Sequence, residues 1–312
     1  SFNAAAGSSV SGGLQVDGDL GRASRGFMIV GNVTSNDPGL VGSTAHGELV
    51  VGGDAALGSG TDMLVGTLFG QSRASDAGGT RINEATGRAR IDGTLTVDQA
   101  PGRLLVGRAL NGKADGELRI GTLAMADGLR FSQLEVGTAG AGEARGVLEV
   151  GAGDLRHARS LAVGTGQTAQ GEVSLLGGAL LGNQGSALVG SATGGTTPTL
   201  LNVIGDVQAQ GGFAGYRNYS VGNLFGPSAA GSSVSGTLIG GADSGVASTT
   251  ERVRVGTLVN INTTSALASG ATTVSGEMRT AGALDMSGLL EVGQSFNAAA
   301  GSSVSGGLQV DG

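Results

Sequence analysis

The chain has 312 residues, of which 63 are Gly, and it contains neither Cys nor Trp. Aromatic residues make up only 3% of it, so few large side chains are present to fill a thick globular core. Because each Gly costs about 1 kcal/mol in a helix interior, this composition excludes helical bundles. Four Pro and no Gly-X-Y period exclude collagen, and 39% hydrophobic residues at regular spacing oppose disorder. A thin, β-rich architecture that buries small aliphatic residues remains.

The net charge is −7, and Lys113 is the only lysine. Nucleic-acid binders normally carry a basic stripe, and the 17 Arg are scattered instead. An anionic membrane surface would repel this chain, and no apolar run is long enough for a transmembrane helix. We therefore expect neither a nucleic-acid partner nor membrane insertion. The lack of Cys gives no thiolate metal site or disulfide framework and is compatible with export.

The first 18 residues, SFNAAAGSSVSGGLQVDG, recur without change at 295–312. This identity sets a period of 294 residues and predicts that 1–294 is one full repeat and that 295–312 begins the next identical one. We interpret the chain as a window from a tandem array, with a single duplication of one short segment as the alternative. The start at Ser1, without Met or a signal peptide, predicts a processed product or an internal segment.

A shorter repeat divides these 294 residues. An apolar strand followed by Val-Gly occurs nine times, with Val at 30, 65, 106, 136, 163, 189, 221, 255 and 292. The spacings average about 33 residues, which matches one coil of a solenoid. Nine coils at about 4.8 Å predict a rise near 43 Å per repeat, and two thinner coils per unit would double it to roughly 86 Å.

Each unit has the same internal order. A G-x-L-x-V strand, such as GELVV at 47–51, leads through a Gly or Asp turn to a second short strand, such as GTLTV at 93–97. A third strand, such as DMLVG at 62–66, ends in Val-Gly. Alternation with period 2 places Leu49 and Val51 on the buried side. Three short strands repeated nine times predict an all-β, single-stranded parallel β-helix, with Gly at sharp corners.

Variable loops connect the units, and the longest run from 67 to 86 and from 257 to 274. Two of the loops share a sequence, TLFGQS at 67–72 and NLFGPS at 223–228. We expect Phe69 and Phe225 to be apolar plugs that fold their loops onto the shaft, and exposed adhesive contacts are the alternative.

No catalytic, cofactor-binding or metal-binding residue is predicted. His46 and His157 lie on different units without partners at metal spacing, so a turn or surface role is favoured for both. Glu117 and Glu149 could in principle act as paired carboxylates, but their spacing on successive strands near Arg119 favours cross-strand ion pairs. The sequence therefore predicts that the protein is not an enzyme.

Three further patterns have simpler explanations. The glycine string GTGQTAQG at 164–171 resembles a phosphate loop but recurs as a corner and opens no helix. Asp residues at predicted corners suggest Ca²⁺, but a role in forming turns is favoured; these are Asp17, Asp19, Asp206 and Asp243. Glycosylation sequons occur by chance at this Ser/Thr content, and they begin at Asn32, Asn218 and Asn262.

The unit of G-x-L-x-V, G-x-L, x-L-x-V-G and a Gly/Ser/Thr loop resembles repeats of bacterial autotransporter (type V secretion) passengers and of PEP-CTERM-associated surface proteins. More broadly it is similar to filamentous-haemagglutinin-type exoproteins. The resemblance covers all nine units and implies a right-handed β-helix displayed outside the cell for adhesion or matrix building. No family catalytic residue is matched in this chain. The export route stays open, because no translocator barrel or anchoring tail is recognised.

We therefore expect a structural subunit of an extracellular or cell-surface fibre, with an adhesin stalk as the alternative and a polysaccharide-acting enzyme as the least favoured class. The expected partner is the protein itself, end to end or in tandem, together with other surface or matrix components. The last coil, around 288–312, would present an unpaired edge to the first coil, around 1–31, of the next copy.

Overall fold

The computed structural model describes residues 7–23, 26–35, 42–70, 82–193, 199–241, 246–259, 271–281 and 284–311. These residues form an all-β structure without a helix. The strands in chain order are β1 (Ser9–Val16), β2 (Leu20–Ala23), β3 (Phe27–Ser35), β4 (Thr44–Val51), β5 (Ala55–Leu57), β6 (Asp62–Gly70), β7 (Glu84–Val97), β8 (Arg103–Ala109), β9 (Lys113–Met125), β10 (Gln133–Ala139), β11 (Glu143–Ala152), β12 (Leu155–Arg156), β13 (Leu161–Thr165), β14 (Thr168–Leu175), β15 (Leu180–Leu181), β16 (Ser186–Thr193), β17 (Asn202–Ala209), β18 (Phe213–Ala214), β19 (Asn218–Phe225), β20 (Ser232–Gly240), β21 (Val246–Val259), β22 (Thr272–Thr280), β23 (Leu284–Val292), β24 (Ser295–Phe296) and β25 (Ser303–Val310).

Two long sheets, in which every strand pairing is parallel, dominate the structure. The first sheet has the order β1-β4-β7-β9-β11-β14-β17-β20-β22-β25, and the second has the order β3-β6-β8-β10-β13-β16-β19-β21-β23. Along these two orders the chain alternates between the sheets from β1 to β25; β2 and β5 also belong to the first sheet, and β24 to the second. We call a first-sheet strand of this order and the second-sheet strand that follows it a rung: rung 1 holds β1 and β3, rung 9 holds β22 and β23, and β25 begins rung 10. This stack is consistent with a β-solenoid.

The pairing registers confirm the predicted short repeat. All nine Val-Gly valines lie in register along the second sheet, from Val30 opposite Val65 to Val255 opposite Val292. Along the first sheet, nine steps lead from Ser9 to Ser303. Each unit thus contributes one strand to each sheet, which favours the smaller predicted rise of about 43 Å.

Inward-facing aliphatic side chains form ladders along the stack. Leu49 and Val51 are buried and Glu48 is exposed, as the period-2 alternation predicts. In the next rungs the position of Leu49 is taken by Ala89, Leu118 and Leu148, all of them buried. Each fully buried Leu or Val contributes roughly 1.5–3 kcal/mol, so the core is built from contacts between rungs.

The Val-Gly pair does not end the third strand, contrary to the sequence prediction. In units one to eight the strand continues past the glycine; β6, for example, runs on to Gly70. All nine of these glycines have φ between 55° and 62°, a region that L side chains rarely adopt. The pair is therefore a bend within the strand rather than its end.

A second column of glycines faces these bends from the first sheet. Its members are in register and are Gly12, Gly47, Gly87, Gly116, Gly146, Gly171, Gly205, Gly236, Gly276 and Gly306. From Gly47 onward, a Cβ at these positions would overlap backbone of the second sheet; at Gly146 it would meet the amide nitrogen of Gly137. We call the two columns together the glycine seam. It separates a main core from smaller apolar clusters, for example the one around Ala85 and Leu68.

The predicted division of each unit into three strands is only partly observed. In rungs 3 and 4 the first and second predicted strands merge into β7 and β9. In rungs 5 to 7 the short strands β12, β15 and β18 form a separate three-stranded sheet. The predicted strand at 282–286 lies partly outside the described residues, and its remainder begins β23.

Aromatic side chains are concentrated beside this small sheet. Phe131, Phe213, Tyr216 and Tyr219 are fully buried in the main core. The Tyr216 and Tyr219 ring centroids are 5.3 Å apart, and those of Phe213 and Tyr219 are 5.6 Å apart. Four of the nine aromatic residues in the chain thus fill the main core beside this small sheet.

Phe69 and Phe225 lie at the ends of second-sheet strands and are half-buried. Each ring lies beneath an arginine of the next rung: Cζ of Arg108 is 5.0 Å from the Phe69 centroid, and Cζ of Arg254 is 5.1 Å from that of Phe225. Both rings therefore pack on the shaft, although they belong to strands rather than to loops. The centres of the two longest predicted loops, 71–81 and 260–270, lie outside the described residues.

Candidate assembly interface

The paired carboxylates considered in the sequence form ion pairs on the outer face of the first sheet. Arg119 Nε lies 2.7 Å from Glu117 Oε1, and Arg119 Nη1 lies 3.9 Å from Glu149 Oε2. The register places Glu149 directly opposite Arg119. These side chains are solvated, so the pairs contribute little stability. The expected cross-strand pairing is confirmed.

Asp206 lies within β17 and not at a corner, contrary to the sequence prediction. It stands directly opposite Glu172 on the outer face of the first sheet. Burial raises the pKa of Asp206; a hydrogen bond from the Gln208 side chain opposes this shift, and the nearby Glu172 and Glu277 charges reinforce it. Within the described ranges, no group of three or more His, Cys, Asp or Glu side chains is arranged to hold a metal ion.

Replacing Asp206 by Asn is expected to stabilise the protein at neutral pH. The pKa of Asp206 is higher in the folded protein than in the unfolded chain, so protonation of Asp206 favours the folded state. The stability that this proton provides is present at low pH and is lost as the pH rises through the pKa of Asp206 in the folded protein. Removing like charges that face each other should gain roughly 0.5 kcal/mol at pH 7, and the gain should vanish below the pKa. Thermal melts at pH 7 and pH 3 measure the difference.

Asp115→Asn is the matched control for that experiment, because Asp115 lies on the same face and accepts a 3.2 Å contact from Arg145 Nη1. This substitution removes a favourable partner and should lower stability slightly at pH 7. Equal effects of the two substitutions would contradict the proposed repulsion at Asp206.

The two histidines occupy different environments. His46 is exposed on β4, as predicted, whereas His157 is fully buried, so the predicted turn or surface role is wrong for His157. Its Nε2 lies 2.7 Å from the Tyr216 hydroxyl, and its Nδ1 lies 3.0 Å from the Arg159 carbonyl oxygen. Burial lowers the pKa of His157 to about 4, against the opposing effect of the Arg159 carbonyl and with a smaller contribution from Arg130. His157 is therefore a core residue that stays neutral.

Asp17 and Asp19 accept hydrogen bonds around the first corner. Gln15 Nε2 donates to Asp17 Oδ1 at 2.8 Å, and the Asp54 amide donates to Asp19 Oδ1 at 2.8 Å. Asp54 in turn accepts from the amide of Thr94 at 2.6 Å. Asp19 and Asp54 thus link corners of successive rungs, which supports the turn-forming interpretation. Asp243 lies outside the described residues.

The remaining sequence patterns also fall within the strand framework. The glycine string at 164–171 spans the end of β13 and the start of β14, and it contains one seam glycine from each sheet. Asn32 and Asn218 lie in β3 and β19, where the Nδ2 atom of Asn32 donates to Thr34 Oγ1 at 2.9 Å. Asn262 lies outside the described residues.

The first rung exposes residues that are buried in the interior of the stack. Leu14 is 54% exposed, although Leu49, its neighbour in the same ladder, is 6% exposed. Phe27 is 63% exposed at the matching end of the second sheet. Val10 and Ile29 are exposed as well. This end of the stack therefore presents an apolar face edged by the unpaired backbone of β1 and β3.

The opposite end has the same character. Leu290 is 45% exposed, although it continues the ladder in which Val253 is fully buried. Leu289, Phe296 and Val310 are also exposed there. In the first sheet β25 is the outermost strand, and in the second sheet β23 is outermost. Most of the large hydrophobic residues that are exposed in the described ranges thus lie at the two ends.

These ends form the candidate assembly interface, and they coincide with the coils around 1–31 and 288–312 that the sequence analysis singled out. Sequence reasoning did not identify Phe27 or Phe296 as interface residues, since only the stacking shows which ladders stop at each end. The described part of the chain contains no helix long and apolar enough to cross a membrane. No known family model, curated protein or solved structure matches this chain.

Proposed function

We propose that this protein is the structural subunit of a fibre that grows along the axis of its stacked sheets. In this proposal the chain is a right-handed β-solenoid with nine three-strand coils per 294 residues, and each copy continues the solenoid of the last. The observation that carries the proposal is the pair of end faces, where ladders buried elsewhere become exposed beside unpaired strand edges. Such edges pair readily with another strand unless they are covered.

Burial of the end faces supplies the driving force. Leu290 and Val310 are exposed at the last rung although their neighbours Val253 and Thr280 are buried, and each would gain up to roughly 1.5–3 kcal/mol on full burial, which favours association of the ends. Parallel backbone hydrogen bonds between β25 or β23 and the next copy would satisfy the open edges. A second copy is the expected partner, because its first rungs have the same strand spacing and ladder positions as the rungs they would join.

We place the fibre outside the cell or at the cell surface. The repeat resembles those of exported bacterial surface proteins, and the lack of Cys is compatible with export. A biofilm or cell-surface matrix would use such a fibre as a scaffold. Labelling of intact cells with an antibody against the outer face of the first sheet tests this location, and labelling only after lysis would contradict it.

Electron microscopy of the purified chain tests the fibre. We expect long, unbranched threads whose axial period is about 43 Å, corresponding to nine rungs at the strand spacing. Thread formation should increase with protein concentration. Particles that remain single at high concentration, or threads whose period is unrelated to the strand spacing, would overturn the proposal.

A further inference from the structure

The strand sequence SVSGGLQV occurs twice in the structure, in two different settings. As β25 it pairs with β22, with Thr273 opposite Ser303. As β1 it pairs with β4, with Ser9 opposite Thr44. The structure therefore shows this strand bound along one edge by β22 and along its other edge by β4. A single strand of this sequence could therefore pair with β22 along one edge and with β4 along the other.

The two sheets contain different numbers of strands, and this difference restricts how two copies can join end to end. Along their main paths the first sheet contains β1 to β25 and has one strand more than the second. If two copies stacked whole, β25 would meet β1 of the next copy, and no second-sheet strand would match the extra layer. The sheets would then be out of step by about 4.8 Å. If one strand is shared, both sheets advance equally.

The glycine seam supplies independent evidence. Interior bend glycines lie against a first-sheet strand two rungs ahead: a Cβ at Gly256 would overlap the carbonyl oxygen of Ser305 and lie 2.8 Å from Cα of Gly306. Gly293 lacks this neighbour, and the nearest atom to a Cβ there is the Gly306 nitrogen at 3.4 Å. Gly293 therefore lies beside an empty position for a strand two rungs ahead.

The other end of the seam lacks the complementary contact. Gly87 and Gly116 face the bend glycine one rung behind and also the valine carbonyl two rungs behind, those of Val30 and Val65. The nearest atoms to a Cβ at Gly47 belong to Gly31 and to the carbonyl carbon of Val30, both one rung behind, and no valine carbonyl oxygen two rungs behind is among them. Placing β4 of a next copy beside β25 would bring its Gly47 to Val292 and Gly293. The contact missing at Gly293 would then be provided by the next copy, and the contact missing at Gly47 by the preceding copy.

We propose that neighbouring copies share one strand: residues 303–310 of one copy take the place of β1 against β4 of the next. This inference rests on the proposed fibre and names a second copy as the partner, in a defined register. Gly306 already makes the seam contacts, to Gly293 and Val255, that Gly12 of the next copy would make in a continuous stack. The same junction serves whether the next copy belongs to the same chain or to another.

A matched pair of substitutions in identical local sequence tests the shared strand. Leu308 packs against the main core and would lie inside the junction, whereas Leu14 belongs to the strand that leaves. Leu308→Arg should reduce the fraction of protein in threads at least about tenfold, because it buries an unpaired charge. Leu14→Arg should leave that fraction unchanged or raise it. Equal loss with both substitutions, or with neither, would overturn the shared strand.

Cross-linking provides a second readout at exposed positions, on a chain that contains no native Cys. A shared strand places Ser305 of one copy beside His46 of the next, as Ser11 lies beside His46 within one copy. His46→Cys with Ser305→Cys should therefore give intermolecular products with a short thiol cross-linker. The control, Ser11→Cys with Ser305→Cys, should give none, and products from the control pair alone would show whole-copy stacking.

The two readouts separate this inference from the fibre itself. Threads that cross-link only through the control pair would support the fibre and overturn the shared strand. Dimers that cross-link through positions 46 and 305 without threads would support the shared strand and overturn the fibre. The absence of both threads and cross-links would overturn both.

Discussion

Gly146→Ala is expected to disrupt the middle of the stack, at a cost of at least about 3 kcal/mol. Gly146 has an ordinary backbone conformation, so the effect arises only from steric overlap of the added Cβ. A Cβ there would overlap the amide nitrogen of Gly137 and the carbonyl oxygen of Val106. Both atoms belong to backbone held in the second sheet, so neither can move without separating paired strands.

Two glycines of the neighbouring rung distinguish the cost of an unfavourable backbone conformation from the cost of steric overlap. Gly128 has φ of +77° with no atom near a Cβ, so Gly128→Ala should cost only about 1–2 kcal/mol. Gly137 combines φ of +61° with overlap against the carbonyl oxygen of Gln170, so its replacement by Ala should be the most damaging of the three. The expected order of damage is position 137, then 146, then 128.

Hydrogen–deuterium exchange is the appropriate measurement, because each rung contacts only its neighbours and unfolding of such arrays is not all-or-none. Exchange should accelerate in β8 to β14 for the substitutions at 137 and 146 and remain near normal in the distant rungs. A chain in which Gly146→Ala behaves like Gly128→Ala would show that the two sheets do not touch at the seam.

The repeat and its ladders could be predicted from the sequence because they depend on local chemistry. Period-2 alternation identified Leu49 and Val51 as buried, and the recurrence of Val-Gly identified the register of the second sheet. The continuation of β6 past Gly66 was missed, because a glycine at positive φ is equally typical of a corner. Only the facing column, with Gly87 between Val30 and Gly66, shows that the residue serves a bend inside a strand.

The candidate interface was partly predictable in the same way. The identity of 1–18 and 295–312 was sufficient to propose that the two ends fit each other. The missing contacts of Gly293 and Gly47 could not be foreseen, because they join residues two rungs apart in different sheets. The burial of His157 was missed for a similar reason: its partner Tyr216 lies 59 residues away along the chain.

Lowering the pH from 6.5 toward 4 is expected to destabilise rungs 5 to 7 through His157. Burial lowers the pKa of His157 to about 4 in the folded protein, whereas the ordinary pKa of histidine is about 6.5. Between these values the unfolded chain binds a proton that the folded chain excludes, so stability falls as the pH falls. Over the full window the loss from this group is about 3 kcal/mol, and above pH 6.5 it contributes no pH dependence.

His157→Gln should remove this component, and His46→Gln is its matched control. Gln cannot take up a proton and retains an amide that can face the Tyr216 hydroxyl, whereas His46 is exposed and lies on the outer face of β4. Thermal melts and hydrogen exchange at pH 7 and pH 4.5 should show a smaller acid effect for the substitution at 157 than for the parent chain or the control. The carboxylates titrate alike in all three proteins, so they do not affect the comparison. If His157→Gln loses as much stability between pH 7 and pH 4.5 as the parent chain does, the buried imidazole is protonated as readily in the folded chain as in the unfolded one.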